Sequence, residues 1–444
     1  MARGLASGAL GKLAISLRSS FWFLPVLIVL ASVALAVALV AVDEQVGGGG
    51  LGERWPKVFA VDADGARELM STIAASMITV AGVVFSITIV AIAQAATQYT
   101  SRVLRNFMRD RRNQVVLGVF LGVFAYCVGV LRTITTNDGE GFVPHLAVFG
   151  GLVLVLVAVV FLAFYIHHVA AQIQSGAIAR GIARDTLATI DELFPDVLEG
   201  EEAPPSREAP EGLRWHAVCG PQMGYLERVD PQALREFARR HGVVVRMERK
   251  VGDFVSSDRA IASIAAAREP TSDTMRELSR LFAIDSYRSI EQDIGFGLRQ
   301  LVDVALKALS PGINDTTTAI TSLDYLSVIL ERLAGRRLAP RPLRDGDTLR
   351  VIPDGPDFED LLTLGMDQIL ENAHGNTVVL LRMLQAIEQI RAGARAPARQ
   401  RMLDAKRDVI AEVARRTASS SESRRRIEQQ LAGTRDAGDD TSGA

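Results

Sequence analysis

Cysteine is nearly absent from the 444 residues: Cys127 lies inside an apolar run and Cys219 far from it. Two distant thiols exclude a disulfide framework and the usual zinc clusters. Lysine is scarce as well, with Lys12, Lys57, Lys250, Lys307 and Lys406 the whole set, so arginine carries nearly all the positive charge. Neither sign dominates, since 49 basic residues face 51 acidic ones. That balance gives no global attraction to nucleic acid, and no nucleic-acid partner is expected. A Gly-rich phosphate loop, a GxSxG elbow, an HExxH pair and a carboxylate pair in an evident cleft are all missing. The expectation is a protein that is not an enzyme, without catalytic residues, metal or cofactor.

What the chain has is apolar length. A hydrocarbon core of about 30 Å takes roughly 20 apolar residues in a helix, because every backbone amide in lipid must be satisfied within its own segment. Phe21–Val42, Leu69–Ala96, Val115–Leu131 and Leu146–Ile166 meet that requirement. They predict a transmembrane domain over 21–170 with helices at about 21–42, 69–96, 115–132 and 146–167. The first run is too long and continuous for the apolar region of a signal peptide. Arginine sets the orientation: Arg3, Lys12 and Arg18 precede the first span, and Arg102, Arg105, Arg109, Arg111 and Arg112 separate the second from the third. Residues 43–68 hold six acids against Arg54, Lys57 and Arg67, and residues 133–145 hold only Asp138 and Glu140. By the positive-inside rule the 1–20 segment, the arginine loop and everything after about residue 170 are cytoplasmic.

The second span differs in kind. Thr72, Ser76, Thr79, Val83, Ser86, Val90 and Thr97 recur every three or four residues, with a last interval of seven, and so form one stripe along a helix. One reading is helix packing, in which small hydroxylated residues let backbones approach closely. The other is that the stripe lines an aqueous path in an oligomer, with Val83 and Val90 as apolar rungs that gate by dewetting. Arg102, Arg105 and Arg109 would then sit at the cytosolic mouth. No acid or base interrupts the stripe, so a proton relay inside the membrane has no candidate residue.

Beyond the spans, residues 171–212 read as a helical extension and a linker, EGEEAPPSREAPEG, rich in Pro, Glu and Gly. Residues 213–256 read as a small α/β module, with a helix capped by Asp230 and opened by Pro231. Its turns are similar to those of lipoyl-type barrel sandwiches, but Lys250 lies outside any modification hairpin and no lipoyl site is carried over. From about 257 to 432 the pattern is helical: Ile294, Leu298, Leu301, Ala305 and Leu309 share one face, and a second helix carries Ile320, Leu323, Leu326, Leu330 and Leu333. A helix pair follows at about 358–370 and 377–390, then one charged helix over 399–431 and a disordered tail over 433–444. The sharpest loop is SPGINDTTTA, in which Pro311 and Gly312 break one helix and Asn314 or Asp315 caps the next. An anion-binding turn is the competing reading of that loop.

Three strings carry a family resemblance: MSTIAASMITVAGVVFSITIVAIAQAATQYTSRVLRNFMRDRRNQVVLGVF, VPHLAVFGGLVLVLVAVVFLAFYIHHVAAQIQ and DIGFGLRQLVDVALKALSPGINDTTTA. They resemble the bacterial predicted membrane proteins of domain-of-unknown-function family 2254. The resemblance runs from the first span to about Ile390, with mild departures at Thr97–Tyr99 and at Thr316. It implies an integral protein of the bacterial inner membrane and supplies no activity. The fold expected is mainly α, a four-helix transmembrane domain followed by a mostly helical cytosolic domain with a small α/β insert. The function expected is a homo-oligomeric channel for small inorganic ions, its partners being the lipid bilayer and other copies of itself. The alternative is a non-conducting anchored sensor or scaffold whose cytosolic domain binds a protein or small molecule.

Overall fold

The computed structural model describes residues 22–46, 62–98, 111–135, 142–172, 175–198, 200 and 212–439. The chain divides into two units, Met1–Gln174 and Ser175–Ala444. Each is mostly helical, as expected, and each has its own core.

The first unit comprises α1 (Phe23–Val46), α2 (Ala63–Gln98), α3 (Arg111–Leu131) and α4 (His145–Gln172). All four are long and apolar enough to cross a membrane, over Phe23–Gln45, Ala63–Val90, Arg111–Leu131 and His145–His167. Within these spans 56% of α3 is buried against 17%, 28% and 22% of the others, so α3 is the central helix. The reason lies in its glycines. A Cβ on Gly118 would come within 2.7 Å of Ile28, and one on Gly122 within 2.5 Å of the Ser32 hydroxyl. Gly118 and Gly122 are four residues apart, on one face of α3, and their lack of side chains lets α1 lie directly on its backbone. Phe120, Val123, Tyr126 and Cys127 are buried around this contact.

Most of the polar groups that face inward in this unit are matched, the Asn113 Oδ1 near the start of α3 being buried without a partner. The Asp43 carboxylate at the end of α1 accepts the Leu146 and Ala147 amides in the first turn of α4, both at 3.1 Å. Those amides have no partner inside their own helix, and a carboxylate there also meets the positive end of its dipole. The Tyr126 hydroxyl donates to Ala147 O at 2.6 Å.

The second unit opens with α5 (Ser175–Leu193), a helix within the stretch expected as a helical extension and linker. In the structure α5 is part of this unit's core, packed on α8 (Ile294–Leu309) and α9 (Thr316–Ala334). Gly297 of α8 meets Thr186 so closely that a Cβ there would overlap the threonine hydroxyl. Asp191 pairs with Arg332 at 2.8 Å and Arg336 at 2.9 Å.

The α/β part is larger than residues 213–256. It contains β1 (Arg214–Cys219), β2 (Gly224–Val229), α6 (Pro231–His241), β3 (Val244–Met247), β4 (Phe254–Val255), β5 (Ala260–Ala266), α7 (Ser272–Ser279) and β6 (Phe282–Asp285). The hairpin β7 (Leu343–Asp345) and β8 (Thr348–Ile352) joins from within the stretch expected to be wholly helical. Five strands run in the order β1-β5-β3-β8-β7 and three in the order β4-β2-β6. Every pairing is antiparallel except β3 with β8. Ile261–Ala265 of β5 are all buried, so this central strand shows the unbroken apolar run of a two-face-covered strand and no alternation. Gly346, at φ +59, turns the β7–β8 hairpin.

The helical layer adds α10 (Phe358–Asn372), α11 (Thr377–Gly393), α12 (Pro397–Thr417) and α13 (Ser421–Asp439). The single helix expected over 399–431 is therefore two. The first ends at Thr417, where Ala418 turns extended; Ser420 caps the second, its hydroxyl accepting the Ser423 amide at 3.0 Å, and Arg415 pairs with Glu428 at 2.8 Å. Helix α13 also carries the chain through 433–439, expected as disordered tail; residues 440–444 lie outside the described set. Arg399 is buried and donates to the carbonyls of Leu333, Ala334 and Arg336 at 3.0, 3.1 and 2.7 Å, satisfying the end of α9.

Two substitutions test this packing. Gly297→Ala overfills the α5–α8 contact and should cost about 1–3 kcal/mol. Thermal unfolding of the full chain in nanodiscs should show that loss, and Thr186→Ala in the same chain should recover part of it. Arg399→Met leaves three carbonyls without their charged donor and should cost about 1.5–3 kcal/mol. An unaltered unfolding temperature in Arg399→Met would mean that α9 does not depend on this cap.

Candidate functional site

The hydroxyl stripe lies on the side of α2 that no other helix among the described residues covers. Thr72, Ser76, Thr79, Val83, Ser86 and Val90 are all exposed in the single chain. Ile73, Ala74, Met77, Ala81 and Val84, on the opposite side, are buried. Gly82 belongs to the exposed side, and a Cβ there would meet nothing within 4 Å. The Thr79 hydroxyl bonds back to Ala75 O at 2.8 Å. The side chain of Thr97 and all of Arg102, Arg105 and Arg109 lie outside the described residues.

One hydroxyl of α2 that the periodicity did not single out faces inward. Thr88 is 9% exposed, donates to Val84 O at 2.8 Å and lies 2.7 Å from the Tyr165 hydroxyl. Tyr165 itself donates to Val84 O at 2.9 Å. Because Thr88 breaks the three-and-four spacing of its neighbours, only its place opposite Tyr165 of α4 reveals its role.

The loop from Ser310 to Asp315 is a turn and a cap. The Asp315 amide returns to Ala308 O at 2.8 Å, and Asn314 takes a left-handed conformation at φ +48. The Asp315 carboxylate accepts the Thr318 hydroxyl at 2.6 Å and its amide at 3.0 Å, and these bonds hold its pKa below the ordinary value. Pro311 and Gly312 are exposed, and a Cβ on Gly312 would meet nothing within 4 Å. The start of α9 thus already has its acceptor.

A cavity of about 380 Å³ opens in the second unit, between the sheet and the helical layer. Met247 and Val351, at the carboxyl ends of the parallel strands β3 and β8, form part of its wall with Leu234, Ile294 and Leu361. The region just past the carboxyl ends of parallel strands is where ligands settle in open α/β sheets. Its size is that of a small-molecule site. No motif in the sequence marks it, because its wall is assembled from the end of α5, Val229, α6, two strand ends, the loop at 250–253, residues 288–295, Pro340, the loop at 353–356 and α10.

The polar part of the wall is mostly acidic. Arg288 holds Asp293 through two bonds of 2.6 and 3.0 Å, and Asp293 also caps α8 through the Phe296 amide. Lys250 reaches Asp360 at 2.7 Å. Burial alone would lower the Lys250 ammonium, but the bond to Asp360 and the charges of Asp360, Asp253 and Asp354 carry its pKa above the ordinary value. Asp253 accepts the Lys250 amide at 3.1 Å, yet burial raises its carboxyl above the usual 3.8. Lys250 and Arg249 oppose that shift, and Asp354 adds to it. Gly252, at φ +96, is required here, since a Cβ would come within 2.5 Å of the Asp293 carboxylate. Among the described residues no three His, Cys, Asp or Glu side chains are grouped to hold a metal ion.

Asp253 makes a pH test available. Its raised pKa means that the folded chain holds this proton more tightly than the unfolded chain does. The contribution is complete below the ordinary value of 3.8 and is lost as pH rises through the folded value. Asp253→Asn keeps an acceptor for the Lys250 amide and removes the half-buried charge. The variant should be more stable than the parent at neutral pH, with the difference closing as pH falls toward the ordinary carboxylate range. Denaturation of both proteins across pH 4–8 checks this, and a constant difference would refute it.

The comparisons with known proteins agree with the membrane unit. The family model described as "Predicted membrane protein (DUF2254)" matches residues 18–389. Uncharacterized proteins of Mycobacterium tuberculosis and Mycobacterium bovis are 34% identical over 348 residues, covering 76% of this chain and 65% of theirs. The chain thus spans about two thirds of the length of these curated relatives. No solved structure matches. With four apolar helices of spanning length and a family match over most of its residues, the chain belongs to the DUF2254 family of predicted membrane proteins.

Proposed function

We propose that this protein is a homo-oligomeric ion channel of the bacterial inner membrane, with both termini cytoplasmic and no enzymatic activity. Copies of α2 line the path, and the second unit, on the cytosolic side, assembles or regulates it. The observation that carries this reading is the exposure of the hydroxyl stripe. The side chains of Thr72, Ser76, Thr79 and Ser86 are exposed, with no described residue of the same subunit packed over them. Four helices are too few to enclose a path, so lining by α2 requires several copies around an axis. Hydroxyl rungs would hydrate a passing ion, and Val83 and Val90, 53% and 64% exposed, would supply the apolar constriction. The orientation rests on the arginines before α1 and between α2 and α3.

A second reading has its own support in Gly82. A bare glycine with Thr79 and Ser86 beside it on an open face suits close helix packing between copies, with no path at the axis. That arrangement would make the protein an anchored sensor or scaffold.

Two measurements separate them. In liposomes carrying the pure protein, Val83→Ser and Val90→Ser should raise the resting leak of small ions, and flux at the parent level in both would end the channel reading. In a Cys219→Ser background, cysteines placed at Ser76, Thr79 and Ser86 should cross-link between copies. A cysteine at Val160 of α4, 68% exposed, should not. Cross-linking at the stripe without added leak would favour the scaffold.

A further inference from the structure

We infer that the cavity between the sheet and the helical layer of the second unit binds a small organic cation: an apolar body seated against Leu234, Met247, Val351 and Leu361, and an ammonium group directed at the Asp253 side of the wall. This assignment stands apart from whether the membrane unit conducts. It begins with the walls. Two strand ends and the first turns of three helices present aliphatic carbons to a space that side chains do not fill, and such a space rewards an apolar occupant in proportion to the area it covers.

Charge then selects the occupant. Lys250 and Arg288 are outnumbered by Asp253, Asp293, Asp354 and Asp360 in the same wall. Arg288 is engaged by Asp293 through two bonds, and Lys250 by Asp360. Neither cation is therefore available to an anion without breaking a pair whose carboxylate partner would be left behind, a costly exchange for the half-buried Arg288 and the buried Asp293. Helix ends do not reverse this balance. Helices α6, α8 and α10 all begin at the cavity, and their amide ends would ordinarily attract an anion. Each is already capped by its own aspartate, Asp230, Asp293 or Asp357. A positive group on the ligand lowers the repulsion among the acids, and Asp253, half-buried and raised in pKa by that burial with Asp354 adding to it, gains from it.

The test uses the full chain in nanodiscs, with empty nanodiscs titrated alongside. 4-Phenylbutylammonium and 4-phenylbutyrate share one apolar body and differ in the sign of the head group. Calorimetry should show the cation binding at least tenfold more tightly than the anion. Asp253→Asn should weaken the cation about tenfold and leave the anion nearly unchanged, whereas Asp258→Asn, an exposed acid away from the cavity, should change neither. Leu364→Trp, which places an indole in the cavity, should abolish binding of both, with unfolding temperatures recorded to verify that the variants are folded. Equal or tighter binding of the anion, binding that survives Leu364→Trp in a folded protein, or no measurable binding of the cation to the parent would each overturn the assignment.

Discussion

A polar group in hydrocarbon must find a partner, because no water is there to supply one. That constraint sorts the surface of the membrane unit. Asp43, Tyr126, Thr88 and Tyr165 face inward, and each has its bond. The outward faces of α1 and α4 obey the rule by having nothing to satisfy: Leu27, Leu30, Val37, Leu156, Val159 and Val160 are aliphatic and exposed. Among the described residues only α2 carries hydroxyls in sequence on its outward face. A threonine can satisfy itself against the preceding turn, as Thr79 does with Ala75 O, so lipid does not forbid one. Such a bond forms at any angle around a helix, however. It gives no reason for hydroxyls to gather on one side, and it is that gathering which asks for a surface other than acyl chains.

Much of this was legible from the chain because the bilayer imposes length and composition together. Four uncharged runs became four helices, and the Asp315 cap followed from a break at Pro311 and Gly312. What stayed hidden depended on partners distant in sequence. Strand β5 reads as an apolar run without alternation because neighbours cover both its faces, and only pairing with β1 and β3 makes it a strand. The β7–β8 hairpin is short and lies among helices, and β8 becomes part of the sheet through its parallel pairing with β3 about a hundred residues earlier. The break between α12 and α13 was written in the serines near Ser420, but a charged helical pattern on both sides concealed it. The cavity had no local signature at all, since its wall draws on segments from Leu193 to Leu364.

Glycine does the same work in both units. Gly118 and Gly122 let α1 reach the backbone of α3, and Gly297 lets α5 reach α8. Interiors packed at crystal-like density transmit displacement instead of absorbing it, so these contacts are where each unit is least deformable. Among the described residues the open face of α2 has no such contact, and a Cβ on its glycine, Gly82, would meet nothing within 4 Å.

That contrast bears on where a constriction could form. Tyr165 donates to Val84 O and lies against the Thr88 hydroxyl, so α2 is held from behind on the turn that follows Val83. Val90 is half a turn beyond Thr88, past the last described tie to α4. A rung at Val83 would therefore be fixed by a buried hydrogen bond, whereas a rung at Val90 could shift with the end of its helix. If α2 lines a path, the valine at position 90 is on this ground better placed to gate than the valine at position 83.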